Sequence, residues 1–521
     1  MSEAQTPAWL AALQQPSAYT HPVATIELIE THISWVLLTG EFAYKLKKPL
    51  DLGFLDFSTL DLRHYYCQEE LRLNRRLAAP IYLQVLAVIE TADGIVMADP
   101  QQTEGEVIEY ALQMRQFDPD QGFDHLLQKQ QLTLTHLDQL AALIGEFHQQ
   151  LPAAPPDSEY GTPQAIRYPC DENISQIRQQ APQLADDPRL TEVADWSEQQ
   201  LQQLASRFEQ RHRNGFIREC HGDLHLRNIA LWQDEVIAFD CIEFDPALRW
   251  IDTLNEIAFL IMDLDAHAAS GLGWYVLNRY LEQTGDYAGL DLLPFYRVYR
   301  AMVRAKVAAI ELGQHEQPRH HRELNDYLDL AVAGSRRDSP ALLITMGFSG
   351  SGKSTVTDGL LQSLGAVRLR SDVERARLFG EADSDQDIGT GKYSTQASDR
   401  LYYHLQELSQ HLLQAGYTVI VDAAFLQHAR RQPFVELAAR CGVPFHILAL
   451  QAGPDVLRER IRHRQQAGRD ASEADLAVLE AQLQHHDPLN SREQDRAIDI
   501  DTTQHPDPER LAARIRHQTK Q

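Results

Sequence analysis

Residues 347–354 read GFSGSGKS, which satisfies G-x-x-x-x-G-K-[ST]. Side chains of these types at this spacing do one kind of chemistry: they cradle phosphate. Gly347, Gly350 and Gly352, interleaved with Ser349 and Ser351, let backbone N–H groups curl around phosphate oxygens. The helix that follows points its positive end at them. Lys353 brings a cation to the β- and γ-phosphates, and Ser354, followed by Thr355, offers a hydroxyl to Mg²⁺. The apolar run LLITM precedes the loop and KSTVTDGLLQSL follows it, which is the strand–loop–helix setting the motif needs. A second dense cluster lies far upstream: HGDLHLRN, 221–228, packs a carboxylate, two imidazoles and a carboxamide into eight residues.

Around the phosphate loop, three further groups fit. TVIVDAAF, 418–425, is an apolar strand ending at Asp422, a carboxylate placed to hold magnesium through water or, more simply, to cap a turn. VRLRSDVERARLFG puts Ser371, Asp372 and Arg375 just past a strand, where open parallel sheets carry ligand groups. Asp372 is a candidate base for a substrate hydroxyl and Arg375 a candidate anion holder. Ser371 with Glu374 also satisfies a capping box, and both readings can hold together. DVLRERIRHRQQAGRD carries Arg458, Arg460, Arg462, Arg464 and Arg469. Arg460 and Arg464 share a helix face and suit a lid over a transferring phosphate, against the plainer reading of a solvated face. From about 340 to 503 the chain resembles the small P-loop kinases related to gluconate kinase, shikimate kinase and zeta toxin. The resemblance rests on GFSGSGKST, SDVER, VIVDAAF and RERIRHR…DASEADLAVLEAQ. It implies phosphoryl transfer from ATP and names no acceptor.

ECHGDLHLRNIALW, 219–232, resembles the H-G-D-x-H-x-x-N catalytic loop of aminoglycoside phosphotransferase-like kinases. That resemblance implies Asp223 as the base, Asn228 as a magnesium ligand, His221 as an orienter and His225 as a group shaping the site. It also implies Asp240, in VIAFDCIEF, as the second metal carboxylate, and Asp252 as a structural aspartate bonded to the loop. Two metals on Asn228 and Asp240 would neutralise charge on the γ-phosphate. Lys45, in EFAYKLKK, takes the place of the strand lysine that clamps phosphate, while Lys47 and Lys48 at the strand end read as solvated. Its partner is Glu69 or Glu70. Adjacent helical residues point about 100° apart, so only one can face it, and the E-x-x-x-L spacing of the family favours Glu69. No G-x-G-x-x-G covers the phosphates. The turn THIS, 31–34, stands in its place, and Tyr110–Met114 would be the hinge that meets adenine. The helix carrying Arg297, Arg300 and Arg304 reads as a packing helix with a solvated stripe, or else as a wall for an anionic compound. The matching helices lack a clear acidic cluster, so a polycationic antibiotic is not the expected acceptor.

The elements that must position these groups follow from pattern. Short β-type runs, VATIELIE, SWVLLTG and EFAYKLKK, fill the start, with one helix near 61–78; helical periodicity dominates from 121. AGSRRDSP, 333–340, is small, polar and proline-ended, and reads as a joint. The expectation is an α+β protein-kinase-like bilobal domain followed by an α/β P-loop NTPase domain with a parallel sheet. The first spans 1–333, with a β-rich lobe at about 20–117 and a helical lobe at about 118–333; the second spans 340–521. The pairing resembles the bifunctional aminoglycoside phosphotransferase/ATP-binding protein family.

A chain of 521 residues suits several domains, and a net charge of −26 disfavours general nucleic-acid or anionic-membrane binding. Five scattered cysteines without a CxxC pair fit a reducing cytoplasm, and the N-terminus has no secretory pattern. The function expected is transfer of a γ-phosphoryl group from Mg-ATP to hydroxyls of small acceptors at two nucleotide sites, with ATP and Mg²⁺ as cofactors. The rivals are a nucleotide-sensing protein in which one half alone turns over, and a zeta-toxin-like kinase of nucleotide sugars.

Overall fold

Alternation along the strand FAYKLK decides the first half of the molecule. Successive strand residues face opposite sides, so Tyr44 and Leu46 point one way and Lys45 and Lys47 the other. In the computed structural model, which describes residues 7–53, 55–314, 317–336, 339–380, 394–467, 475–504 and 506–519, this strand is β3, Phe42–Lys47. It belongs to a six-stranded sheet with β1 (Glu27–Glu30), β2 (Ser34–Leu38), β4 (Tyr82–Thr91), β5 (Gly94–Ala98) and β6 (Glu106–Arg115). The order is β1-β2-β3-β6-β4-β5, and every pairing is antiparallel. Tyr44 and Leu46 join Trp35, Leu37, Val88 and Ala111 in a core closed by Leu10, Leu13 and Tyr19 from the N-terminal segment. The helix Leu60–Ala78, capped by Thr59, packs on β6 and β4. It buries Cys67, Leu71, Leu73 and Leu77, and with them Glu70 and Asn74.

The expected hinge at Tyr110–Met114 is corrected here. Those residues lie inside β6, where β4 pairs with them on one side and β3 with Ala111–Met114 on the other, so the strand ends only at Arg115. Lys48 is not solvated either: its Nζ reaches Glu30 Oε1 at 2.7 Å and Thr31 O at 2.5 Å, pinning the turn after β1.

Further on come β7 (Ile217–Glu219), which pairs with β10 (Trp250–Asp252), and the hairpin β8 (Ile229–Trp232) with β9 (Glu235–Ala238). The hairpin turns on Gln233 and Asp234, both with positive φ (53° and 67°), as the primed turn of a two-residue connection needs. These elements belong to one compact unit, Met1–Asp171 with Leu201–Asp263.

The other compact unit is Glu172–Gln200 with Leu264–Gln521. Its centre is a five-stranded parallel sheet of β11 (Leu342–Met346), β12 (Val367–Arg370), β13 (Val419–Asp422), β14 (Phe445–Gln451) and β15 (Ala497–Asp501), ordered β12-β13-β11-β14-β15. Helices Lys353–Leu364 and Pro508–Thr519 cover one face, where Leu343, Val356, Leu360, Ile498 and Ile515 form the core. The same unit includes helices from before the 333–340 joint. From the Ser270–Thr284 helix, Asn278 donates to Ala366 O at 2.9 Å and accepts from Arg368 N at 2.7 Å. One carboxamide thus satisfies two outward backbone groups at the start of β12. Arg377 donates to Glu282 O at 2.6 Å and the Tyr417 hydroxyl to Leu290 O at 2.8 Å. No helix among the described residues is long and apolar enough to cross a membrane.

Asn278→Ala removes both edge bonds and leaves a buried N–H and C=O without partners. The expected cost is about 1–3 kcal/mol, seen as a lower urea midpoint for the full-length chain. A midpoint equal to that of the parent would mean that the edge is held by other means.

Candidate functional sites

In the first unit Lys45 and Lys47 leave the same face of β3 toward the helix Leu60–Ala78. Lys45 Nζ lies 2.8 Å from Glu70 Oε1 and 2.7 Å from Asp240 Oδ1. Lys47 Nζ lies 2.7 Å from Glu70 Oε2 and also bonds Glu243. Glu70 and Lys47 are each only 1% exposed. Burial opposes ionisation of Glu70, but Lys45 and Lys47 more than offset it and bring its carboxyl down to about 2.

The expected partner Glu69 is therefore corrected to Glu70. Glu69 sits one residue round the helix, 2.9 Å from the half-exposed Arg72 and 3.8 Å from the buried Arg249. The solvated reading of Lys47 is corrected as well. Lys45 and Lys47 are two residues apart in a strand, so the sequence already put both on one face; Glu243 gave no comparable signal.

The loop 221–228 is held by acids beneath it. Glu256, fully buried, accepts from His221 N at 2.8 Å and from Gly222 N at 2.7 Å. Asp263 accepts from Leu226 N at 2.9 Å. Gly222 has φ +87°, and a Cβ there would lie 2.8 Å from Leu248 O, so the turn requires glycine. His221 Nε2 donates to Phe239 O at 2.9 Å while Nδ1 accepts from Asp223 N at 3.3 Å. Burial lowers the His221 pKa, in keeping with this neutral tautomer. Asn228 Nδ2 donates to Asp223 Oδ2 and to Asp223 O, both at 3.0 Å, and His225 Nε2 lies 3.3 Å from the same Oδ2.

Asp240 follows β9 with φ +62°. Its N–H donates to the Tyr82 hydroxyl, and the N–H of Cys241 donates to Asn74 Oδ1 at 2.9 Å. Phe239 N donates to Asn228 O at 2.9 Å, which sets the two proposed metal-binding segments side by side.

The carboxylate that takes the loop amides of His221 and Gly222 is Glu256, which the sequence reading did not single out. Asp252, the structural aspartate expected from the resemblance, lies four residues earlier and binds Arg211 at 2.5 and 2.7 Å. Burial opposes ionisation of Glu256, and hydrogen bonding and charge from His148 with the hydrogen bond from the His221 amide bring its carboxyl down to about 2. His148, Cys220 and Glu256 gather ligand-type atoms within 4.8 Å of one another, but both Glu256 oxygens already serve the loop amides.

In the second unit the loop 347–352 joins β11 to the helix Lys353–Leu364. Gly350 and Gly352 take φ +80° and +82°. A Cβ on Gly350 would lie 2.9 Å from Leu457 O. Lys353 Nζ donates to Gly347 O at 3.1 Å and Phe348 O at 3.0 Å, and Gln482 Oε1 accepts from Ser349 N at 2.8 Å. Ser351 is buried, and Thr355 lies in the first turn of the helix. Ser354 Oγ donates to Asp422 Oδ2 at 3.0 Å, so the loop hydroxyl and the carboxylate ending β13 meet.

Arg460 donates to Gly350 O at 3.3 Å and to Thr502 Oγ1 and O at 3.0 and 2.6 Å. Arg464 is one turn further along the same helix, Pro454–Ala467. Arg458 instead pairs with Glu480 at 2.8 Å, and Arg469 lies outside the described residues.

Asp372 and Arg375 open the helix Ser371–Phe379. The expected capping box is absent: the N-cap is Arg370, without a side-chain cap, and Glu374 turns inward to Arg377 and His404. Burial pushes the Tyr402 hydroxyl pKa up, with Arg430, Arg375 and Asp372 close enough to act on it. Arg430 stacks over the Tyr402 ring at 4.8 Å; the sequence reading missed both residues. The arginines at 297, 300 and 304 form no solvated stripe. Arg297 pairs with Asp265, Arg300 is buried, and Arg304 lies over Tyr327.

Residues 342–489 match a protein family described as an AAA domain. An uncharacterized protein of Mycobacterium tuberculosis is 29% identical over 467 residues, which is 88% of this chain and 91% of that protein; one from Mycobacterium bovis matches equally. Among solved structures, a gluconokinase from Sinorhizobium meliloti is 23% identical, covers 36% of this chain and 92% of its own, and has a TM-score of 0.24. A choline/ethanolamine kinase family protein from Mesorhizobium loti is 11% identical, with coverage of 61% and 94% and a TM-score of 0.33.

Glu70→Gln should cost about 3–5 kcal/mol, because it leaves Lys47 buried beside one carboxylate in place of two. Glu69→Gln should cost less than Glu70→Gln, because Glu69 keeps part of its side chain in water and its nearest partner, Arg72, is half exposed. Thermal unfolding of the two variants checks this. Glu70 and Glu256 both have depressed pKa values in the folded chain, so their contribution is complete above the unfolded value of about 4.3 and is lost as pH falls toward 2. Glu70→Gln should therefore flatten the acid limb of stability against pH.

Proposed function

We propose that the chain is an ATP- and magnesium-dependent phosphotransferase with two nucleotide sites, each passing a γ-phosphoryl group to a hydroxyl of a small molecule. One observation carries the reading. Each unit gathers, from segments distant in sequence, a lysine and oxygen donors suited to a hard divalent cation: Lys45 with Asp240 beside Asn228, and Lys353 with Ser354 against Asp422. In this reading 1–333 is an aminoglycoside phosphotransferase-like kinase domain with two lobes, and 340–521 a P-loop kinase domain.

Magnesium would be held by Asn228 and Asp240 in the first unit and by Ser354 and Asp422 in the second; when bound it neutralises phosphate charge. Asp223, oriented by Asn228 and His225, takes the proton of the acceptor hydroxyl. The acceptor oxygen bonds to the γ-phosphorus as the bond to the bridging oxygen breaks, and ADP leaves. Lys45, fixed by Glu70, holds the phosphates. In the second unit Lys353 exchanges its carbonyl partners for phosphate oxygens, and the loop amides complete the cradle. Arg460 and Arg464 close over the nucleotide, and Asp372 acts as base. Arg375, with Arg430 nearby, gives that acceptor site an anionic preference.

Calorimetry with a non-hydrolysable ATP analogue should give about two sites per chain, one for each phosphate-clamping lysine. Lys45→Ala and Lys353→Ala should each leave about one. Asp223→Asn should stop transfer at the first site without loss of nucleotide binding. A parent stoichiometry of one, abolished by Lys353→Ala, would overturn the two-site reading.

A further inference from the structure

We infer that Glu282, on a helix that precedes the phosphate loop by some seventy residues of sequence, is a positioning residue for the cation site of that loop, acting through Arg368. The inference rests on the proposed reading of Ser354 and Asp422 as the metal-holding pair.

Arg368 lies on β12 with no exposed surface. Its Nη2 and Nε reach Glu282 Oε1 at 2.6 and 3.2 Å. Its Nη1 donates to Thr357 Oγ1 at 2.9 Å and to Ser354 O at 3.3 Å, and lies 2.9 Å from Asp358 Oδ1. Thr357 Oγ1 is 3.5 Å from Asp422 Oδ2, the oxygen that Ser354 Oγ bonds at 3.0 Å. A buried line of contacts therefore runs from Glu282 through Arg368 and Thr357 to the carboxylate and hydroxyl proposed for magnesium.

The charges around it balance. Arg279 and Arg370 also reach Glu282, at 3.0 and 3.5 Å, and Arg279 reaches Asp358 at 3.1 Å. Three guanidiniums thus face Glu282 and Asp358, with Asp422 close enough to act on Arg368. Burial opposes ionisation of Glu282, and Arg368, Arg370 and Arg279 more than offset it, holding the carboxyl below its usual range.

Without the charge on Glu282, Arg368 keeps two anionic neighbours, Asp358 and Asp422. Its attraction to Asp422 then competes with a divalent cation, and one unbalanced positive charge repels that cation. Both effects weaken magnesium binding. Neither touches the loop amides or Lys353, so nucleotide binding without magnesium should persist.

The test is calorimetry on the full-length chain with a non-hydrolysable ATP analogue, titrated against magnesium and reading the part of binding that Lys353→Ala abolishes. Glu282→Gln should raise the magnesium midpoint about 10-fold, as loss of a group behind a metal ligand does, with magnesium-free affinity unchanged. Glu282→Asp, which keeps the charge on a shorter side chain, should raise it less. A purely structural role would lower the unfolding temperature and leave the midpoint where it is, and that result overturns the inference. Should Glu282→Gln fail to fold, Glu282→Asp is judged by the same midpoint. If the parent shows no Lys353-dependent binding, the phosphate-loop reading fails, and the outcome is told apart from failure of Glu282 alone.

Discussion

A carboxylate with 1% of its side chain exposed must keep cations beside it, because an unpaired charge so deep in the protein costs several kilocalories per mole. Glu70 is in that position, and the first unit is arranged around it. Its two oxygens hold Lys45 and Lys47 from β3, Lys47 holds Glu243, and Lys45 holds Asp240. To keep these charges paired, the strand, the helix Leu60–Ala78 and the segment after β9 must come together. That convergence is also what places a lysine against the proposed metal carboxylate. Glu256 repeats the logic: a buried acid holds the backbone of the loop that presents Asp223, and is itself held by those amides and by His148.

Local pattern carried much of this into the sequence. The phosphate loop sits between β11 and its helix as the flanking residues require, and the helix expected near 61–78 spans Leu60–Ala78. What pattern could not settle was which way one residue turns. Glu69 and Glu70 differ by a rotation of about 100°, and the choice depends on where β3 lies across the interface, which no helical periodicity records. Glu69 even satisfied the spacing to Leu73 that the family suggests. Lys47 was misread for a different reason: lysine is seldom buried, so residue type was given more weight than strand alternation, which placed it beside Lys45.

The acid beneath the loop and the Tyr110–Met114 hinge show a further limit. Expectations for both followed from position along a motif. Asp252 lies in β10 and is taken by Arg211, whereas Glu256 reaches the loop from the helix that follows. Ala111–Met114 are paired with a strand on each side and Tyr110 with one. Single long-range contacts such as Gln482 to Ser349 leave no periodic mark at all; they follow from the packing of helix Leu476–Gln484 beside the loop.

The edge of the parallel sheet draws these points together. An edge strand exposes a row of unpaired amides and carbonyls, and it must be covered or shortened. β12 is such an edge, and the residues after it open the helix that bears Asp372 and Arg375. Its inner neighbour β13 ends in Asp422. Asn278 covers the outer edge with one carboxamide, and Glu282, one turn along the same helix, neutralises the arginine that β12 sends inward. The composition of 333–340 marks a joint in the chain, but the compact body does not end there. The strand that leads into Asp372, and that pairs with the strand ending in Asp422, gets outer hydrogen bonds and a counter-charge from a helix on the other side of that joint. A phosphate-loop sheet separated from this helix would keep its motif and lose the fixed edge against which the motif is held.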